Sequence, residues 1–186
     1  MIEYIYSTMG GGKSTELVKT YKQLKRKDMN PIIAKPLVDT REGEYFGWGF
    51  TCSRIAKEKV PAFYFDTIQE VFDKVSFGIL LIDEVQFMLE KDIEKLAKLD
   101  KDVIAYGLKT DINANLFPAS AKLLAIADSV KEIPMLCECK NCKNKSQIHS
   151  RYINGKLDIS GISTMIETGT ITYKALCYKC WKKERE

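Results

Sequence analysis

The 186-residue sequence has no apolar run close to the roughly 20 residues that a membrane-spanning helix requires. Its amino terminus has Glu3 instead of a basic region followed by an apolar stretch, and no long tract of Lys and Arg occurs anywhere. These absences argue against a secreted protein, a membrane protein and a nucleic-acid-binding tail, and they predict a cytoplasmic location. The net charge of +4, with acids and bases interspersed, suits a small polyanionic ligand.

The sequence contains a single histidine, His149. Cysteine is not scarce, and five of the six cysteines follow residue 136. A chain with no secretion signal seldom forms disulfides, and no histidine base accompanies these thiols, so the cluster predicts a metal site and not a catalytic one. His149 itself is predicted to be a polar strand residue.

A phosphate-binding loop is predicted at residues 7–14, Ser-Thr-Met-Gly-Gly-Gly-Lys-Ser. It follows a β-prone run, 2–6, and precedes a helical pattern that starts near Lys13. Glycines let backbone N–H groups approach phosphate oxygens, Lys13 would neutralise the outer phosphates, and the Ser14 hydroxyl would ligate magnesium. The strict motif has glycine where this chain has Ser7, and the alternative is an ordinary glycine-rich turn. The predicted ATP and magnesium contacts of the loop are Ser7, Thr8, Met9, Gly10, Gly11, Gly12, Lys13, Ser14 and Thr15.

Strand and helix patterns alternate along residues 1–132, which predicts an α/β domain with a parallel sheet flanked by helices. In such sheets ligands bind at the carboxyl ends of the strands. Beyond residue 133 the periodicity weakens, and residues 133–186 are predicted to form a second, smaller domain. Segments 39–54 and 159–172 fit neither pattern. Strands are predicted at 2–6, 31–35, 60–65, 77–82 and 103–108, and helices from 13 and at 68–75, 93–99 and 120–127.

The run Leu80-Leu81-Ile82 ends in two carboxylates, Asp83 and Glu84. In phosphate-loop enzymes the first acid at this point acts on the metal shell, and a second can orient or deprotonate the attacking group. The alternative is that two acids simply solvate the end of a buried strand.

Two Cys-x-x-Cys pairs in the second domain have the spacing of a tetrahedral zinc ribbon. They are Cys139 with Cys142 and Cys177 with Cys180, separated by a stretch with strand character. The zinc is predicted to be structural.

The joint order of these motifs resembles the type II thymidine kinase family. The match covers the phosphate loop, the acid pair and the cysteine pairs, and Ser7 with the triplet Ser53-Arg54-Ile55 resembles its phage and enterobacterial branch. The resemblance implies a RecA-like P-loop fold with a carboxyl-terminal zinc ribbon carrying a lasso loop. The other matching motifs are Lys35-Pro36, Asp39-Thr40-Arg41, Ile82 to Phe87, Tyr106 to Asp111, Leu123-Leu124-Ala125 and Ala127-Asp128.

The resemblance also implies catalytic roles. Glu84 matches the general base that takes the proton from the nucleoside 5′-hydroxyl, and Asp83 matches its neighbour near magnesium. Asp39 would hold either Arg41 or the metal shell. Lys13 and Arg41 would stabilise charge on the transferring phosphoryl group. Arg54 would join them, although a surface ion pair is the alternative. Aligned with the family, Cys137 competes with Cys139 for the place of the first zinc ligand, and knuckle geometry favours Cys139.

The acceptor pocket is implied by resemblance too, although aromatic residues at such positions could simply be core. Apolar and aromatic side chains would wall it, and the lasso at 159–172 would fold over the nucleoside and form hydrogen bonds with the base through backbone groups. The chain departs from the family at Ile112, where phenylalanine is common, at Asn113, where arginine is common, and at Glu167-Thr168-Gly169, which replaces Ile-Gly-Gly. The implied contacts are Met9, Gln86, Phe87, Leu108, Ile112, Phe117, Thr164, Glu167, Gly169 and Tyr173.

The function implied by resemblance is ATP-dependent phosphorylation of the 5′-hydroxyl of thymidine, and of deoxyuridine, in nucleotide salvage. A homotetramer and feedback inhibition by thymidine triphosphate are implied as well. One alternative is a P-loop ATPase whose zinc ribbon binds nucleic acid, but the ribbon lysines come with few aromatics. Another is a homologue that has lost catalysis, which the retention of Lys13, Ser14, Asp83 and Glu84 argues against.

Overall fold

The computed structural model describes residues 1–37, 47–53, 58–160 and 170–186. A seven-stranded sheet forms the larger part, in the order β3-β4-β2-β5-β6-β1-β7. All neighbouring pairs are parallel except β3 with β4. The predicted α/β class with a mostly parallel sheet is therefore confirmed. The strands are β1 (Ile2–Tyr6), β2 (Pro31–Pro36), β3 (Gly47–Ser53), β4 (Glu58–Phe65), β5 (Ile79–Ile82), β6 (Asp102–Gly107) and β7 (Ser129–Glu132).

Helices cover both faces of this sheet, so the central strands are buried on both sides. Along β5, Leu80 and Ile82 enter one apolar core, whereas Ile79 and Leu81 enter the other. This explains why the strand reads as an unbroken apolar run and not as an alternating one. The helices are α1 (Lys13–Arg26), α2 (Ile68–Lys74), α3 (Glu90–Leu96) and α4 (Pro118–Ile126), with a 3₁₀ turn at Val85–Phe87.

Strand β3 lies in the segment that fitted neither pattern in the sequence. Gly47 and Gly49 weakened its strand signal, but Trp48, Phe50 and Cys52 alternate along it as a strand requires. It pairs antiparallel with β4 and also packs against α1, which brings Thr51 over the carboxyl edge of the sheet.

A three-stranded antiparallel sheet, in the order β10-β8-β9, follows the first sheet. Asn154 and Gly155, both with positive φ, form the two-residue turn between β8 and β9. Helix α5 (Tyr178–Lys183) follows β10. The strands are β8 (Ile148–Ile153), β9 (Lys156–Asp158) and β10 (Ile171–Leu176).

Within the ranges described above, none of the helices combines the length and apolar character that crossing a membrane would demand.

Candidate active site

The glycine-rich loop joins the carboxyl end of β1 to the start of α1, as its sequence predicts. Gly10 and Gly12 have φ values of 78° and 86°, which side chains other than glycine rarely adopt. Gly12 stands immediately before α1, so the free N–H groups of the first turn open toward the loop. Lys13 is buried, and its Nζ donates a hydrogen bond to the Thr8 carbonyl at 3.1 Å. The loop therefore combines open amide donors with a cation held against its own backbone.

Ser7 fits its position because Gly11 has no side chain. The Ser7 hydroxyl donates to the Ile133 carbonyl at 2.7 Å and so ties the loop to the chain that follows β7. A Cβ atom on Gly11 would lie 1.9 Å from Ser7 Oγ and 2.9 Å from Ser7 Cβ. The serine that departs from the strict motif is thus packed into the space that Gly11 leaves.

We expect Gly11→Ala to lower kcat/KM for ATP by about 100-fold, because relief of this contact must shift the loop by an appreciable fraction of an ångström. Adding Ser7→Gly to the same chain removes both close atoms and should restore part of the loss. Ser7→Gly alone is the control for the lost bond to Ile133. Steady-state kinetics of all three variants test this coupling, and a near wild-type KM for ATP in Gly11→Ala would contradict it.

Asp83 and Glu84 follow β5, as predicted, and their environments differ. Asp83 is 2% exposed, and it accepts hydrogen bonds from the Glu84 N–H at 3.0 Å and from Thr51 Oγ1 at 3.2 Å. Burial, and next the charge of Glu84, raise the pKa of the Asp83 carboxyl to about 6, although the nearby charges of Lys35 and Lys13 act in the opposite direction. Sequence reasoning missed Thr51 and Lys35 as parts of this site. Lys35, 3% exposed, had only the Lys35-Pro36 motif to mark it.

The raised pKa of Asp83 predicts a stability cost at neutral pH. A group whose pKa is higher in the folded state stabilises that state most when it is protonated in both states. For Asp83 this stabilisation is fully present below the unfolded pKa of 3.8 and is lost as the pH rises through the folded pKa of about 6. Asp83→Asn should therefore raise the free energy of unfolding by about 1–3 kcal/mol at pH 8 and by little at pH 4. Denaturant titrations at both pH values test this, with the exposed Asp73→Asn as control. A variant that is less stable than wild type at pH 8 would refute the prediction.

Glu84 is held in an unusual backbone conformation. Its φ of 53° and ψ of 40° place it in the left-handed region, which is costly for a residue with a side chain and common at functional sites. Gln86 Nε2 donates to Glu84 Oε2 at 2.7 Å, while Gln86 Oε1 accepts the Leu108 N–H at 3.0 Å. Gln86 thereby ties the Glu84 carboxylate to the end of β6, the strand between β5 and β1.

The residues predicted to wall the acceptor pocket fall into separate environments. The rings of Phe87 and Phe117 meet edge to face, with centroids 6.2 Å apart, whereas Ile112 is buried. The Ile112 carbonyl accepts hydrogen bonds from Trp181 Nε1 at 2.9 Å and from Arg185 at 2.7 Å. The carboxyl-terminal helix therefore holds the loop in which Ile112 lies.

Leu108 comes directly after β6 and lines a cleft beside the phosphate loop. Tyr173, in β10, packs edge to face against His149, with centroids 5.8 Å apart. His149 is in strand β8, as predicted, but it is also buried and lines the same cleft. Its place in this cleft was missed because nothing local in the sequence distinguishes it from other strand residues.

Six residues of the predicted site lie outside the described residues. They are Asp39, Arg41, Arg54, Thr164, Glu167 and Gly169.

Four cysteine sulfurs in the second domain lie within 4.8 Å of one another: those of Cys137, Cys142, Cys177 and Cys180. Two of them, Cys142 Sγ and Cys177 Sγ, are 3.8 Å apart, which is about the sulfur separation that a tetrahedral site with 2.3 Å Zn–S bonds requires. The cluster is compatible with zinc. Cys139, the predicted first ligand, is not in this group, and Cys137 lies in it instead.

The geometry of the first knuckle explains why Cys137 and not Cys139 lies in the group. Leu136 and Lys145 form an isolated antiparallel β-bridge, and the Cys137 N–H donates a hydrogen bond to the Asn144 carbonyl at 2.9 Å. Cys137 therefore stands at the base of the turn and is buried, whereas Cys139 lies within the turn, where its carbonyl accepts the Cys142 N–H at 3.0 Å.

A phosphate loop after β1, an acid pair after β5 and a carboxyl-terminal cysteine cluster thus occur in one chain. The family model described as thymidine kinase matches residues 1–181. The chain belongs to the thymidine kinase family. This confirms the resemblance in sequence motifs, and it identifies the site as that of an ATP-dependent phosphotransferase.

Several curated thymidine kinases are similar to this family member over nearly their whole length. The one from Ruegeria pomeroyi is 31% identical over 188 residues, which cover 96% of this chain and 91% of the relative. That from Haemophilus influenzae is 31% identical, with coverage of 94% and 96%. The thymidine kinase of Streptococcus agalactiae is 34% identical, with coverage of 95% and 94%.

Proposed function

We propose that this protein transfers the γ-phosphoryl group of ATP to the 5′-hydroxyl of thymidine, and also of deoxyuridine. Membership in the thymidine kinase family supports the substrate class. The observation that carries the mechanism is the position of Glu84, which Gln86 holds at the carboxyl edge of the sheet where the phosphate loop also begins. The loop that would bind the donor phosphates and the carboxylate that would act as general base thus lie at the same edge of the sheet.

The phosphate loop would bind the donor. Amide groups of residues 7–15 would receive the phosphates, and Lys13 would neutralise charge that develops on the transferring group. Arg41 and Arg54 are proposed for the same task on the strength of family resemblance alone. Magnesium, when bound with ATP, supplies further charge neutralisation, and Ser14, Asp83 and Asp39 would hold it. The buried Asp83 carboxylate fits a divalent cation, because the cation would offset the burial that raises its pKa.

Glu84 would accept the proton of the 5′-hydroxyl. A carboxylate is a weak base toward an alcohol, so it would act chiefly by orienting the hydroxyl and by taking the proton late in the transfer. The base of the nucleoside would lie against Phe87, Leu108, Phe117 and Tyr173, since apolar and aromatic faces suit a flat pyrimidine. Met9, Gln86 and Ile112 are proposed to complete this side.

A panel of nucleosides tests the proposal. Purified protein with Mg-ATP should release ADP and form the 5′-monophosphate with thymidine and deoxyuridine, and react far more slowly with purine nucleosides. If another nucleoside were consumed while both of these were untouched, the acceptor assignment would be wrong. If none were consumed, the kinase function itself would fail.

Family resemblance further supports a homotetramer in the cytoplasm and inhibition by thymidine triphosphate. Light scattering should give a mass about four times the 21.2 kDa of one chain. Thymidine triphosphate should inhibit competitively with thymidine, because its base would occupy the acceptor site while its phosphates reach the loop. A monomer, or inhibition unaffected by thymidine, would refute these two expectations separately. The alternative of a nucleic-acid-binding ATPase is not favoured by the family match.

A further inference from the structure

A narrow, partly open cleft lies between the phosphate loop and the start of β8. The hydroxyls of Thr8 and Ser146 meet across its floor at 2.9 Å, which joins the two parts of the chain at this point. Backbone and side chains of both sheets therefore border one space next to the catalytic edge. Its lining residues include Ser7, Thr8, Leu108, Thr110, Ser146 and His149.

Among the buried polar side chains that line this cleft, His149 is the one whose hydrogen-bonding atoms have no partner in the described part of the chain. It is 4% exposed, yet its ring nitrogens form no hydrogen bond within residues 1–37, 47–53, 58–160 and 170–186. These nitrogens are not among the enclosed side-chain atoms that lack a partner in the described residues, so they remain accessible from the cleft that His149 lines, where a ligand can bind them. Its ring is oriented by Tyr173, a diagonal neighbour on the same face of the β8–β10 pair.

The imidazole is uncharged under ordinary conditions. Burial, and next the positive charge of Lys13, lower the pKa of His149 to about 4. A neutral imidazole offers one N–H donor and one nitrogen acceptor. It therefore suits a flat, uncharged heterocycle with carbonyl and N–H groups better than it suits a phosphate. The charges of Lys13 and Glu84 are close enough to affect the pKa of His149, which places the ring near both residues.

We propose that His149 binds the pyrimidine base of the acceptor through a hydrogen bond and is a determinant of nucleoside affinity. The inference rests on the proposed function and adds a residue that the sequence motifs did not assign to the site. It places the base between the Leu108 side of the cleft and Tyr173, beside the phosphate loop. A base held there adjoins the edge where Glu84 stands.

Kinetics of His149→Phe provide the first test. Phenylalanine keeps a flat ring against Tyr173 but has no hydrogen-bonding atoms, so KM for thymidine should rise about 3- to 10-fold, as expected for one neutral hydrogen bond. The KM for ATP should stay within twofold of wild type. His149→Gln, which keeps one donor and one acceptor, should recover part of the loss. Equal thymidine KM values in wild type and a folded His149→Phe would overturn the proposal.

A second test uses the wild-type protein and does not depend on the folding of a variant. Because His149 is the only histidine in the sequence, its ring nitrogens give one set of ¹⁵N resonances in untagged protein labelled at histidine. Thymidine should shift them, while a non-hydrolysable ATP analogue or 1,2-dideoxyribose, which lacks a base, should shift them much less. Unchanged resonances at saturating thymidine, or an equal shift with the base-free sugar, would overturn the assignment.

The two failures are distinguishable. Wild-type protein that phosphorylates thymidine while His149 gives neither a KM effect nor a resonance shift would refute this inference alone. Wild-type protein that does not phosphorylate thymidine would refute the proposed function.

Discussion

Glu84→Gln is expected to lower kcat for thymidine by about 10²- to 10⁴-fold while leaving the affinity for ATP within a factor of two. The substitution keeps the size of the side chain and its ability to accept a hydrogen bond from Gln86 Nε2, which lies 2.7 Å from Glu84 Oε2. It removes the negative charge and the group that accepts the proton. The effect should therefore fall on the chemical step and not on assembly of the site.

Single-turnover measurements with bound ATP separate these two possibilities. Glu90→Gln is the matched control, because Glu90 is an exposed glutamate in the first turn of α3 and lies outside the site. Gln86→Leu should give a smaller loss of kcat, since it frees the Glu84 carboxylate from the end of β6 but keeps the base itself. A folded Glu84→Gln protein with more than a tenth of wild-type kcat would refute the general-base role.

Loss of the metal is expected to have the second large effect. If zinc binds the cysteine cluster, purified protein should contain one zinc per chain, and Cys137→Ser should lose that zinc and melt at a lower temperature. Cys139→Ser should retain full zinc content, because Cys139 is not one of the four clustered sulfurs. Zinc analysis and thermal melts of the two variants, with Cys52→Ser as control, decide between the two ligands.

The opposite pattern, with zinc lost in Cys139→Ser and kept in Cys137→Ser, would show that Cys139 is the first zinc ligand, as the knuckle spacing predicts. Removal of the metal should also raise KM for thymidine. The reason is that Trp181 and Arg185, which hold the Ile112 carbonyl, lie in and just after the helix that begins beside Cys177. If chelation removed zinc but left stability and KM for thymidine unchanged, the cluster would have no structural role.

Local sequence was enough to predict the parts of this protein whose conformation depends on near neighbours. The phosphate loop needs glycines at fixed spacing between a strand and a helix, and the acid pair needs only the end of a buried strand. Both were found where expected, with β1 at Ile2–Tyr6, α1 from Lys13 and β5 ending at Ile82. The alternation of strands and helices likewise predicted the parallel sheet, because a right-handed strand–helix–strand connection leaves few other arrangements.

Tertiary structure decided the features that depend on contacts between distant residues. Cys137 replaces Cys139 in the cluster because pairing of Leu136 with Lys145 sets which thiol faces Cys177, about 40 residues away. Thr51 reaches Asp83 because β3 packs over α1, and Lys35 acts on the same carboxyl from β2. His149 lines the cleft beside the phosphate loop because the second sheet meets that loop at Thr8 and Ser146. No spacing within a single segment encodes such contacts, since they arise from how two sheets pack.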